Sequence, residues 1–321
     1  MDMARKDHYV SQTYLRHFAS SNGDLVPYYK NAQVVAGKAK VPKSICFETE
    51  GDTNKYFQNP RILDEFLPAF ENTWNSNIAR LENQELDEKA KFEIAGYIAF
   101  LRACTPTAKR LNQQGIAGIL KPVSYEVMLS TLEKGDYLKE EEKSCLYEAI
   151  QKGELNLKID REFAHAQGMQ AMVSILCTFY CSDWLVLFNK TDIPFITSDN
   201  PAIFFYQDMQ QQIANTYVPL KPTLALLITP NIDKRRANFE DVKKHRGSKD
   251  GYGVIKPPYV KIFNEAIVKS AEKIVLHQKK EEWLEKLVRK YSKWGVETIA
   301  THIPIGEGTL TAIRQQSVKR Q

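Results

Sequence analysis

Met169-Gln170-Ala171-Met172-Val173-Ser174-Ile175-Leu176-Cys177-Thr178-Phe179-Tyr180-Cys181-Ser182-Asp183-Trp184-Leu185-Val186-Leu187-Phe188 is where the chain changes its period. Up to Tyr180 the apolar residues run almost without a break, ending a helix that starts near Arg161, and predict a buried central helix. After Ser182 come short β-compatible runs: Trp184 to Phe188, Ile193 to Thr197, Ala202 to Tyr206, Tyr217 to Leu220 and Leu224 to Ile228. Turn residues separate them, and the connections are too short for crossover helices, so a mostly antiparallel sheet follows.

Upstream, residues 61–183 are helical in pattern. Ile62, Phe66, Phe70, Trp74 and Ile78 recur every fourth residue, and Asp87 reads as the N-cap of a helix reaching Arg102 and ending near Pro106. That aromatic face is expected to pack on the later sheet. Glu140-Glu141-Glu142 opens a further helix, because acids suit its positive end. Residues 1–60 read as an N-terminal helix from Val10 to Phe18, then a hairpin of Leu25 to Tyr29 and Gln33 to Val35 turning near Lys30-Asn31. Downstream, residues 231–321 hold a basic loop and helices at Val260 to Leu276 and Glu281 to Trp294. The order reads as α+β in a single domain, because the helical middle alone would expose large apolar faces.

Composition excludes more than it assigns. With 321 residues, 43% hydrophobic and 26% charged, the chain is neither disordered nor low-complexity. No run approaches the ~20 apolar residues that span a bilayer, so no membrane partner is expected. Arg5, Lys6, Asp7 and His8 precede a polar helix and no apolar signal core, which predicts a cytoplasmic protein. Five irregularly spaced cysteines give no disulfide framework. Cys177 and Cys181 share a helix face, but zinc would need two more ligands, and their apolar surroundings favour core packing.

Two stretches carry candidate chemistry. Asp7-His8-Tyr9-Val10-Ser11-Gln12-Thr13-Tyr14-Leu15-Arg16-His17-Phe18 sets a histidine just before an anchored helix. Ile193-Pro194-Phe195-Ile196-Thr197-Ser198-Asp199-Asn200-Pro201 ends an apolar strand in polar residues. His8 reads as a general base or metal ligand, or as a residue fixing the N-terminus to the backbone. Asp199 reads as a base or metal-binding carboxylate with Ser198 and Asn200 orienting substrate, or as turn chemistry capping amides. Arg102 and Arg110, with Lys109 beside them, suit an anionic group or a solvated helix end. No phosphate-cradling glycine loop is present.

The two stretches resemble a prokaryotic family catalogued as domain of unknown function 4238. Matching positions are His8, Tyr9, Val10, Gln12, Tyr14, Leu15, Arg16 and Phe18, then Phe195, Thr197, Ser198, Asp199, Asn200 and Pro201. Arg102-Ala103-Cys104-Thr105-Pro106 looks like the family's arginine–proline element with an insertion, and Asn264 matches a helix asparagine. Ser11 replaces the usual proline and leaves a competent cap. The resemblance implies candidate residues and a phage-defence or toxin setting.

From these residues the expected function is a phosphodiester hydrolase, nuclease-like. His8, Asp199 and Asn200 would be catalytic, and Tyr9, Gln12, Arg102 and Ser198 would hold substrate, with a divalent metal ion as a compatible cofactor. The basic loop at 233–250 (Lys234, Arg235, Arg236, Lys243, Lys244, Arg246 and Lys249) suits a nucleic-acid partner. The alternative is a non-enzymatic ligand- or protein-binding module in which both motifs are structural.

Overall fold

Ser11 does as a cap what its position suggests. Its hydroxyl accepts the Tyr14 amide at 3.2 Å and opens α1 (Gln12–Arg16), burying Tyr14 and Leu15. The structure, a computed structural model, describes residues 5–134, 139–152, 154, 157–206, 214–231, 240, 242, 249–306 and 308–320. Most of the basic loop at 233–250 therefore lies outside the described residues.

The aromatic row of the helical block is split into α2 (Leu63–Phe66), α3 (Pro68–Glu71) and α4 (Trp74–Glu82). Pro68 has no amide to continue the preceding turn. Phe66 is left exposed, whereas Phe70 and Trp74 are buried. Asp87 caps α5 (Glu88–Cys104) by accepting the Ala90 amide at 2.8 Å. Phe70 rests on Gly96 of α5, where any Cβ would overlap its ring. The Trp74 indole lies 4.6 Å from the Tyr97 ring. The face thus packs on α5 and α1, where the sequence pattern suggested the sheet.

Pro106 starts a helix instead of ending one. It opens α6 (Pro106–Lys134), with the Thr105 hydroxyl accepting the Ala108 amide at 3.2 Å. Then follow α7 (Glu140–Gln151) and the central α8 (Arg161–Tyr180), both at their expected positions.

The strands form more than one sheet. β4 (Asp183–Phe188), β6 (Ile203–Phe205), β7 (Asn215–Lys221), β8 (Leu224–Thr229) and β9 (Gly251–Val254) lie in the order β6-β7-β8-β4-β9. Every pair is antiparallel except β4 with β9. A smaller sheet has the order β2-β10-β5, from β2 (Val26–Tyr29), β10 (Ile274–His277) and β5 (Thr197–Ser198). β1 (Lys6–His8) pairs with β3 (Phe47–Thr49). The chain is α+β, and one apolar cluster joins residues from Val10 to Leu276.

The smaller sheet explains three departures from the sequence pattern. β2 takes its ladder partner from β10, nearly the whole chain away, and touches the 33–36 segment only through an isolated bridge at Ala36 and the Tyr29 amide on Val35. A tight turn at Lys30 would leave that side chain in water, but it is 2% exposed. Residues 193–196 form no strand, because Asn264 bonds Pro194 O (2.9 Å) and the Ile196 amide (3.2 Å) with its side chain. The helix expected to reach Leu276 is α9 (Pro257–Ser270), after which the β-branched Ile274-Val275 run enters β10. Last come α10 (Glu282–Lys290) and a long hairpin, β11 (Trp294–Ile305) and β12 (Gly308–Lys319).

Candidate functional site

The second motif is drawn into the turn between α9 and β10. Asp199 is 3% exposed, and its carboxylate accepts three amides: Glu272 (2.9 Å), Lys273 (2.7 Å) and Ile274 (3.0 Å). Burial raises its carboxyl to about 6 against the pull of those amides, so it is ionised at neutral pH. From the other side, Lys30 sends its ammonium to the carbonyls of Val268 (2.9 Å), Lys269 (3.3 Å), Ala271 (2.9 Å) and Trp294 (2.5 Å). A cation suits the negative end of α9. The carbonyls of one turn end on Lys30 and its amides on Asp199.

The neighbouring motif residues extend this frame. Asn200 donates its side-chain amide to Ser270 O at 3.0 Å, and the Ser198 hydroxyl accepts the Asn200 amide at 3.1 Å. Thr197 meets the Tyr14 hydroxyl at 2.8 Å, and that hydroxyl donates to Pro219 O at 2.6 Å. Tyr9 and the buried Cys46 lie beside Asp199, and burial pushes both the Tyr9 hydroxyl and the Cys46 thiol well up from their ordinary values. Arg110 and Arg320 close on Glu272 and Glu297. Lys109 is buried on Glu48 and Gly51 O, not solvated at a helix end.

The first motif borders a cleft of about 360 Å³ between α1 and the α2–α3 segment. Gln12, Thr13 and Arg16 line one wall, Asp52 and Glu71 the other, with His8 at the rim. Asp7 sets the acidic wall. It is forked by Arg61 at 2.8 and 3.2 Å and accepts the Asp52 amide at 3.1 Å. Asp52 is 6% exposed, and no described residue donates a hydrogen bond to its carboxylate. Burial, then the charge of Asp7, raises its pKa to about 6. Burial likewise raises Glu71 to about 7, opposed by a hydrogen bond from Ser11. Ser11 in turn accepts the Tyr97 hydroxyl at 2.9 Å. Arg16 is exposed and makes no ion pair among the described residues. Burial keeps His8 neutral, with its ring 5.7 Å from Phe47 and its buried Nε2 without a partner among the described residues.

The sign of the two raised carboxyls makes a prediction. The folded chain holds protons that the unfolded chain releases, so their stabilisation is full below about pH 4 and is lost as pH rises through about 6 and 7. Asp52→Asn and Glu71→Gln should each raise stability at pH 8 by about 1–3 kcal/mol and change little at pH 4. Denaturant melts at the two pH values check it, and equal effects at both would contradict it.

The expected site residues therefore divide. His8 and Gln12 reach the α1 cleft. Arg102 and Asn200 line a different one, against β6 and the C-terminal hairpin. Asp199 lines neither. Asp52 and Glu71 carry no local signal, since one reads as a loop marker and the other as a helix-face acid beside Phe70. Cys177 and Cys181 are buried and not joined in a disulfide, and no described group of three or more His, Cys, Asp or Glu is placed to hold a metal ion. No described helix is long and apolar enough to cross a membrane.

Fold and frame together define an α+β chain whose paired motifs tie its N-terminus to the turn between α9 and β10. A family model described as Protein of unknown function (DUF4238) matches residues 6–281, and the chain belongs to that family. No curated protein and no solved structure matches it.

Proposed function

We propose that the chain is a phosphodiester hydrolase that works by carboxylate acid–base chemistry in the α1 cleft, within a phage-defence or toxin system. The observation that carries this reading is the buried Asp52 carboxylate, which has no donor and faces a cleft lined by Arg16, an arginine with no ion pair, both among the described residues. In this reading Arg16 neutralises the phosphate while Gln12 and Thr13 orient it. Ionised Asp52 takes a proton from the attacking water as the new P–O bond forms. Protonated Glu71 gives its proton to the leaving oxygen as the old bond breaks. Neutral His8 packs beside the cleft with its Nε2 buried, and takes no proton in this reading. Asp199, Ser198, Asn200 and Tyr9 hold the frame, and nucleic acid is the substrate class.

The test is turnover of bis(4-nitrophenyl) phosphate and of labelled DNA and RNA oligonucleotides, with and without a divalent ion. Glu71→Gln and Asp52→Asn should each lower turnover by about 10²–10⁴-fold with the fold intact. A wild-type protein inactive on every substrate, or two variants as active as wild type, would overturn the reading.

A further inference from the structure

Arg102 stands at the end of α5 in the cleft of about 750 Å³ enclosed by β6, α9 and the base of the β11–β12 hairpin. Its guanidinium donates to Ala202 O (3.2 Å) and Gln315 Oε1 (2.6 Å) and lies 4.0 Å over the Phe204 ring. A guanidinium has five N–H donors and is always a cation in ordinary surroundings. Arg61, Arg80, Arg110 and Arg320, the other partly buried arginines described, each close on a carboxylate. Arg102 closes on none among the described residues. Burial lowers its pKa to about 10, the signature of a charge without compensation.

The cleft around it repeats the imbalance. Among the described residues lining it Glu265 is the one acid, and that carboxylate is held by Lys269 at 2.6 Å. Arg314 also lines the cleft, exposed and free of ion pairs among the described residues. Phe204, Tyr206 and Trp294 supply aromatic surface, and the Gln315 and Asn200 amides supply polar edges. The volume is that of a small-molecule site.

We propose that this cleft binds a nucleotide, its phosphate on Arg102 and Arg314 and its base on the aromatic wall. The site is separate from the α1 cleft and does not depend on hydrolysis there. A phosphate supplies the missing counter-charge at Arg102 in the bidentate geometry that guanidinium favours. A base gains stacking surface that neither phosphate nor sugar can use. A free nucleotide and the end of a strand share this chemistry, and a mononucleotide against a short oligonucleotide separates them.

The test is equilibrium binding to the full chain, followed by tryptophan fluorescence and thermal shift. The probes are AMP, GMP and UMP, a trinucleotide, adenosine and inorganic phosphate. Nucleotides should bind, adenosine and inorganic phosphate at least about tenfold more weakly. Arg102→Gln should weaken nucleotide binding by about 30-fold or more without lowering the melting temperature of the free protein, because it removes an uncompensated charge. Arg314→Ala, on the exposed wall, should weaken it less and serves if Arg102→Gln misfolds. Glu71→Gln should bind as wild type does, so failure here and failure of the hydrolase reading are told apart. No nucleotide binding, adenosine or phosphate binding as tightly as AMP, or full affinity in both arginine variants would overturn the proposal.

Discussion

Asp199→Asn should lower the unfolding free energy by about 3–5 kcal/mol at pH 7.5, about a third to a half of a typical stability margin of about 10 kcal/mol. The carboxylate accepts from the amides of Glu272, Lys273 and Ile274 while itself 3% exposed. Asparagine keeps the shape but offers one oxygen. Its NH₂ must then face a backbone N–H, and each buried donor left unmade costs about 1–3 kcal/mol. The turn between α9 and β10 loses its anchor, and with it the register of β2-β10-β5. Urea denaturation read by circular dichroism measures the loss. A change under about 1 kcal/mol would mean that the three amides find other partners.

Lys30→Met should cost about 2–4 kcal/mol by the complementary route. Methionine matches the length and packing of the stem but donates nothing to the four carbonyls that the ammonium joins. Arginine is no rescue, because a planar fork cannot point at four acceptors converging on one nitrogen. Burial lowers this lysine to about 8, so it is charged at neutral pH. Because both residues hold one turn, the double variant should lose less than the sum of the singles. Additive losses in a double-mutant cycle would show that the two anchors act separately.

Local chemistry made much of this fold legible. Asp87 and Ser11 cap where their side chains suit a helix start, and the change of period at Ser182 marks the step from α8 into β4. Pairing across the chain was not legible. Nothing near Val26 points to Ile274, and Lys30 reads as a turn residue until four distant carbonyls surround it. The β11–β12 hairpin escapes notice because both its faces are largely exposed, so apolar alternation is weak. In the candidate site, the motif spelling points to His8 and Gln12. Asp52 and Glu71 become partners only because Asp7 and Arg61 fold the 50–53 loop against α3.

The proposed hydrolase divides its labour, with Asp199 holding the frame and Glu71 working in the cleft. One paired measurement tests it most directly: stability and phosphodiester turnover per folded molecule, for Asp199→Asn and Glu71→Gln side by side. Asp199→Asn should melt lower and turn over normally once corrected for folded fraction. Glu71→Gln should be as stable as wild type or more so at pH 8, and about 10²–10⁴-fold slower. An Asp199→Asn protein that is fully stable and inactive, beside an active Glu71→Gln, would reverse these roles and overturn the proposed site.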